Sequence, residues 1–188
     1  MFKISDEKRK VYKFKITLFG AGNVGKTSLI IRFIKDSFSH DLKKTIGTNF
    51  LIKDVIVDNC DVRLLVWDIG GQSTFSSMRN IYFKGSNACI GVYDITSPDS
   101  LLKIPGWLSS IKKSVGTIPM ILLGNKYDLA PAEQKVDEKD ALELADRLGC
   151  SHRYTSALTG QGVEEAFLEI AKKCLEIARQ YESTREEL

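Results

Sequence analysis

Histidine and cysteine are both scarce in this sequence, with two and four copies in 188 residues. Cys60, Cys89, Cys150 and Cys174 lie far apart, and with so few histidines they form no spacing that would grip a metal ion or a disulfide framework. Reduced thiols in a cytosolic protein are the expectation. Long apolar runs are missing as well, since nothing approaches the ~18 consecutive apolar residues that span a bilayer. The opening Met1-Phe-Lys-Ile-Ser-Asp-Glu-Lys-Arg-Lys10 places charge where a secretory signal has its apolar core. Position 2 is Phe rather than Gly, and Tyr181–Leu188 carries no cysteine, so neither myristoylation nor prenylation is expected and no direct lipid anchor is visible. The expectation is a cytoplasmic protein, peripheral at membranes only through partners. Charge of one sign is not in excess either: 27 basic and 24 acidic residues leave a net +3. That balance does not point to nucleic acid. Lys8-Arg9-Lys10, Lys43-Lys44 and Lys112-Lys113 lack the aromatic interleaving of a single-strand groove and read as solvated faces.

The length suits one well-buried core, and a monomer is expected. We place a single domain over residues 13–180, behind a charged leader at 1–12 and before a short tail at 181–188. Residues 11–19 read as a strand and 26–36 as a helix with Leu29, Ile30, Phe33 and Ile34 inward. The runs 49–57 and 62–67, separated by Asp58-Asn-Cys-Asp61, predict an antiparallel hairpin. The nearly continuous apolar runs 88–93 and 119–123 suit strands buried on both faces. Between them, Pro105 and Gly106 predict a kinked or late-starting helix within 100–115. An amphipathic helix over 136–148 has Asp137 as its cap and Gly149 as its stop. A short strand at 152–155 precedes a closing helix over 163–181. Its apolar stripe is Ala166, Phe167, Ile170, Ala171, Cys174 and either Ile177 or Ala178. Strands alternating with helices imply a mostly parallel sheet covered on both faces, with a ligand at the carboxyl ends of the strands.

Chemistry is concentrated in three places. Gly20-Ala-Gly22-Asn23-Val24-Gly25-Lys26-Thr27-Ser28 follows the first strand and opens the first helix. Glycines there let backbone amides close around phosphate oxygens, to which the helix adds its positive end. Lys26 reaches the terminal phosphates and Thr27 offers a hydroxyl to magnesium. Trp67-Asp68-Ile-Gly70-Gly71-Gln72 ends the third strand. Asp68 is suited to hold magnesium through water, the Gly71 amide to meet a terminal phosphate and Gln72 to orient an attacking water. Asn125-Lys126-Tyr-Asp128 follows the 119–123 strand. A carboxylate at 128 accepts from the N1–H and exocyclic amine of guanine, whereas adenine would leave it unpaired. Asn125 pins the loop, the stem of Lys126 covers the ring face, and the Ala157 amide of Thr155-Ser156-Ala157 meets the guanine carbonyl.

These segments, in this order, resemble the small GTPase superfamily, most closely its Ras and Rab branches, from about Lys13 to Glu176. The resemblance implies an α/β P-loop NTPase fold: a small G domain with a six-stranded, mostly parallel sheet flanked by helices. It also implies GTP, GDP and Mg2+ as ligands. Phe38 resembles the aromatic that covers the guanine edge. Thr45, in Thr45-Ile-Gly47, resembles the switch I threonine that joins magnesium and senses the third phosphate. Asp68 to Gln72 resembles the start of switch II, and Ser156-Ala157-Leu158 the motif that supports the base. Phe50, Trp67 and Tyr82 resemble the Rab aromatic trio. Effectors would therefore read Thr45–Phe50, Trp67 and Gln72–Tyr82, alongside an exchange factor and a GTPase-activating protein.

Departures from the pattern carry information of their own. Gly70 makes Trp-Asp-Ile-Gly-Gly-Gln look more like the Arf version and loosens switch II. Ser73 occupies the place of an acidic residue used by exchange factors, Asn23 that of a Ras glycine, and Leu158 that of a lysine. Gly22 is retained. No arginine is placed for insertion in cis, since Arg32 falls too early and Arg79 inside switch II. The expected activity is slow GTP hydrolysis that an external activating protein accelerates, in trafficking or signalling. A guanine-nucleotide module that barely hydrolyses and serves as a scaffold is the alternative; an ATP-dependent enzyme is disfavoured by Asp128.

Overall fold

A computed structural model describes residues 10–38, 48–70 and 79–186 of the chain. Its strands are β1 (Val11–Phe19), β2 (Thr48–Val57), β3 (Cys60–Ile69), β4 (Ala88–Asp94), β5 (Met120–Asn125) and β6 (Ser151–Tyr154). Helices are α1 (Lys26–Lys35), α2 (Arg79–Phe83), α3 (Pro98–Leu102), α4 (Ile104–Val115), α5 (Glu138–Leu148) and α6 (Val163–Glu186). The strands form one six-stranded sheet in the order β2-β3-β1-β4-β5-β6. Only the β2–β3 pair is antiparallel. Its turn is tighter than the sequence suggests. Asp58 and Asn59 both take left-handed backbone angles, φ 46° and 61°, and β3 resumes at Cys60 opposite Val57. Two such residues match the right-handed twist of the strands they join.

Every residue of β4 and β5 is buried, as expected for central strands covered on both faces. One face buries Ile16, Leu18, Leu64, Val66, Ile90 and Val92 against α1 and α6, where Phe33 and Phe167 stack with ring centroids 4.1 Å apart. The other buries Phe19, Cys89, Met120 and Leu122 against α4 and α5, through Trp107, Leu108, Ile111 and Leu144. The single segment expected over 100–115 is two helices, broken at Lys103, with Pro105 in the first turn of the second. Proline is tolerated there because a first-turn amide has no intrahelical acceptor. Asp137 caps α5 by accepting from the Lys139 amide, and Gly149 ends it at φ 69°.

The closing helix continues to Glu186, beyond the limit at Tyr181 expected from its apolar stripe. Tertiary contacts hold the added turns: Glu182 accepts from Lys10 and from the Tyr12 hydroxyl at the start of β1. Between the two residues left open at the end of that stripe, Ala178 packs against the core and Ile177 is exposed. Strand order reverses about β1, because the chain leaves it first for the β2–β3 side and then for the β4 side. The carboxyl ends of β1, β3, β4 and β5 therefore face one crevice, where the glycine loop also lies.

Candidate functional site

The loop between β1 and α1 is shaped by two glycines that nothing larger could replace. A Cβ on Gly20 would lie 2.1 Å from the Val92 carbonyl oxygen, and one on Gly25 would lie 2.2 Å from Asn125 Nδ2. Gly25 also sits at φ 96° where α1 begins, and no side chain caps that helix start. The positive end of the helix is thus directed into the crevice. Asn23 takes a left-handed φ of 64°, which asparagine tolerates better than most residues. Gly22 is exposed, and a Cβ there would meet no atom within 4 Å. Val24 is buried and anchors the loop from below.

Lys26 folds back over this loop, donating to the Gly20 carbonyl at 3.1 Å and the Ala21 carbonyl at 2.7 Å. Burial pushes its ammonium down to about 8, with the negative charge of Asp68 pulling the other way. Asp68, the penultimate residue of β3, lies opposite Leu18 of β1 and is 4% exposed. Its Oδ2 accepts from the Thr27 hydroxyl. A hydroxyl and a carboxylate side by side at the mouth of a phosphate loop are hard oxygen donors of the kind magnesium takes, so the residues present fit that ion. Ser28 follows Thr27 in the first turn of α1 and is half-buried.

The far end of the crevice is organised by Asn125, only 1% exposed at the end of β5. Its Nδ2 donates to the Val24 carbonyl at 2.9 Å, while its Oδ1 accepts from the Thr155 hydroxyl and the Ala157 amide, both at 3.3 Å. Lys126 takes a left-handed φ of 70°, and its ammonium pairs with Asp94 Oδ2 at 2.5 Å. Asp128 lies in the 3-10 turn Tyr127–Leu129, where Oδ1 accepts from the Ser156 hydroxyl at 2.5 Å. Leu158 is 43% exposed at the rim. Phe38 is half-buried and packs against the core beneath α1 and α6.

Of the aromatic trio, Phe50 and Trp67 face each other across the hairpin with centroids 5.1 Å apart, and Phe50 is 49% exposed. Lys15 connects them to Tyr82. Its ammonium lies 4.2 Å from the Trp67 ring centroid and donates to the Tyr82 carbonyl at 2.7 Å. Thr45, Gly71, Gln72 and Ser73 lie outside the described residues, as do most of the two stretches expected to contact effectors. The described structure thus assembles the loop of 20–28 with Asp68, Asn125, Lys126, Asp128, Ser156 and Ala157 in one crevice.

Three contributors were not singled out for this role by sequence. Asp94 holds Lys126, Thr155 braces Asn125, and Arg32 reaches the Ala157 and Leu158 carbonyls. A signal existed only for Thr155, as the first residue of the Thr155-Ser156-Ala157 run.

A family model described as the Ras family matches residues 15–176. The chain is 38% identical over 173 residues to the Ras-related protein Rab-21 of Geodia cydonium, covering 92% of this chain and 75% of that protein. Against the Ras-related protein Rab-21 of Homo sapiens it is 37% identical over 171 residues, 90% and 76% of the two chains. Against the Ras-related protein Rab-5A of Dictyostelium discoideum it is 38% identical over 165 residues, 87% and 82%.

Proposed function

We infer the workings of the site from the premise that this chain belongs to the Ras family of small GTPases: it binds guanine nucleotide and hydrolyses GTP as a Rab/Ras-like switch. Such switches are regulated by effectors, exchange factors and activating proteins. The alternative of a scaffold that barely hydrolyses is not favoured by that membership. We assign the G domain to residues 13–180. No helix among the described residues is long and apolar enough to cross a membrane. Work in intracellular trafficking or signalling, as a cytoplasmic monomer brought to membranes by partners, is the cellular role we assign.

In this reading the phosphates lie in the loop of Gly20, Gly22, Asn23, Val24 and Gly25, on the positive end of α1 formed by Lys26, Thr27 and Ser28. Lys26 neutralises charge on the transferring phosphoryl group from a position already fixed by two loop carbonyls. Gln72 orients a water whose oxygen attacks the γ-phosphorus as the bond to the β-phosphate oxygen breaks, giving GDP and phosphate. The amides of Thr45 and Gly71 contact the γ-phosphate before hydrolysis and release it afterwards, so the switches differ between the two states. The Thr27 and Thr45 hydroxyls, with Asp68 through water, would hold magnesium, which would supply charge neutralisation. The base is read by Asp128, the Asn125 amide, the stem of Lys126 and the Ala157 amide, with Ser156 holding Asp128, Leu158 flanking the ring and Phe38 at its edge.

One observation carries this reading. Asn125 hydrogen-bonds the phosphate loop at Val24 and the base loop at Ala157 with the same side-chain amide, so the two halves of a nucleotide site are set at a fixed separation. Competition of GDP, GTP and ATP for a fluorescent GDP tests it. GDP and GTP should displace the probe at comparable concentrations while ATP fails even at large excess. Displacement by ATP at the same concentrations would remove the guanine assignment.

A further inference from the structure

Arg32 lies midway along α1, and its guanidinium leaves that helix for the base loop. Its Nε donates to the Ala157 carbonyl at 2.9 Å and Nη2 to the Leu158 carbonyl at 2.6 Å. Nη1 meets the Asp36 carbonyl at 3.2 Å and Asp36 Oδ1 at 3.3 Å. The side chain is only 16% exposed, although Asp36 itself is 96% exposed. A plain helix-surface ion pair would account for the two long contacts with Asp36 and for none of the burial. The shorter pair goes to consecutive carbonyls more than a hundred residues away in sequence. Two donors in a rigid plane suit two adjacent acceptors, a match that a lysine's single ammonium does not reproduce.

The residue gripped is the one whose amide has a task. Ala157 is held at its N–H by Asn125 Oδ1 and at its carbonyl by Arg32, and it is 4% exposed. Fixing both groups fixes the two peptide planes that meet at its Cα, because each plane is rigid. At 3.3 Å the bond to Asn125 Oδ1 is long, so a base oxygen would share or replace that acceptor while Arg32 keeps the Ala157 backbone in place, which lowers the ordering cost of binding. The next residue is Leu158, which has no charge of its own with which to fasten the loop. The guanidinium supplies that fastening from α1, the same helix whose first turn carries Lys26 and Thr27.

We propose that Arg32 is a positioning residue for guanine recognition: by clamping the Ala157 and Leu158 carbonyls it holds the Ala157 amide where the 6-oxo group of the base is read. The inference rests on the assignment of residues 156–158 to the base. The test compares GDP with 6-thioguanosine diphosphate, which keeps the N1–H and exocyclic amine but replaces the 6-oxo group with a poorer acceptor. Equilibrium dissociation constants for both are measured on the wild-type chain, Arg32→Ala and Arg32→Lys, with thermal unfolding recorded alongside. The wild type should prefer GDP. Arg32→Ala should weaken GDP about tenfold, the scale of one lost charged hydrogen bond, and weaken the thio analogue less, so that the preference shrinks. Arg32→Lys, which keeps charge and stem, should fall between and decides the matter if the alanine variant does not fold. A variant that loses affinity equally for both diphosphates, or loses only thermal stability, would overturn the proposal and leave the nucleotide site standing. A wild type that binds both diphosphates no better than ADP would overturn the base-loop assignment and the proposal together.

Discussion

Asn125 Nδ2 donates to the Val24 carbonyl at 2.9 Å across 101 positions of sequence, fastening the end of β5 to the loop that follows β1. The same side chain accepts from Thr155 and Ala157, so its removal strands one carbonyl, one hydroxyl and one amide in a buried place. Leaving a buried group unsatisfied costs about 1–3 kcal/mol. Asn125→Ala should lower unfolding free energy by about 2–4 kcal/mol and speed GDP release by at least about tenfold. Chemical denaturation and the release of a fluorescent GDP check the two effects separately.

Gly25→Ala addresses the same junction from the opposite side. Its new methyl would stand 2.2 Å from Asn125 Nδ2, and the backbone at φ 96° disfavours any Cβ. Either Asn125 moves or the loop does. Nucleotide affinity should fall by at least about a hundredfold, roughly 2.7 kcal/mol, as read by isothermal titration with GDP.

Phe167→Ala tests the packing that holds α1 and α6 together. Phe167 is fully buried, and its ring lies parallel to Phe33 within 4°. Truncating a buried aromatic of this kind costs about 3–5 kcal/mol. Thermal unfolding should shift down by many degrees, while GDP affinity measured well below that midpoint stays within about threefold of wild type.

His152 predicts a pH dependence of stability. Burial pushes its imidazole down from 6.5 to about 4, and its Nε2 lies 2.9 Å from the Tyr93 hydroxyl. The unfolded chain binds a proton there at a pH where the folded chain does not, so stability falls as pH drops from about 6.5 towards 4. His152→Phe should flatten that part of the profile without changing its slope above pH 7. Unfolding midpoints from pH 8 to pH 4 for both proteins provide the comparison.

Residue patterns gave away most of the architecture because punctuation and period agreed along the chain. Gly20 and Gly25 bracket a loop, Asp137 and Gly149 bracket α5, and the apolar runs of β4 and β5 are too continuous for a solvated face. Boundaries went astray where a distant partner decides them. Glu182 extends α6 by reaching Lys10 and Tyr12, and no local periodicity encodes that contact. The break at Lys103 was foreshadowed by Pro105, whose ring forbids a continuous helix through that turn. In the site, the side chains that meet in the crevice were legible from motif spacing: Lys26, Thr27, Asp68, Asn125 and Asp128. Those that act by holding others were not. Asp94 and Arg32 reach Lys126 and the base loop through the fold alone, as ordinary charged residues of a strand end and a helix.

We propose that GTP is hydrolysed by a water that Gln72 orients, in the nucleotide site organised by Lys26 and Asn125. Single-turnover release of phosphate from GTP, with magnesium present, tests it most directly. The wild-type chain should release one phosphate per bound GTP, slowly and without help. Gln72→Leu should bind GTP as tightly and release phosphate at least about tenfold more slowly. Equal phosphate release from both proteins, or none from the wild type while GTP stays bound, would contradict the account.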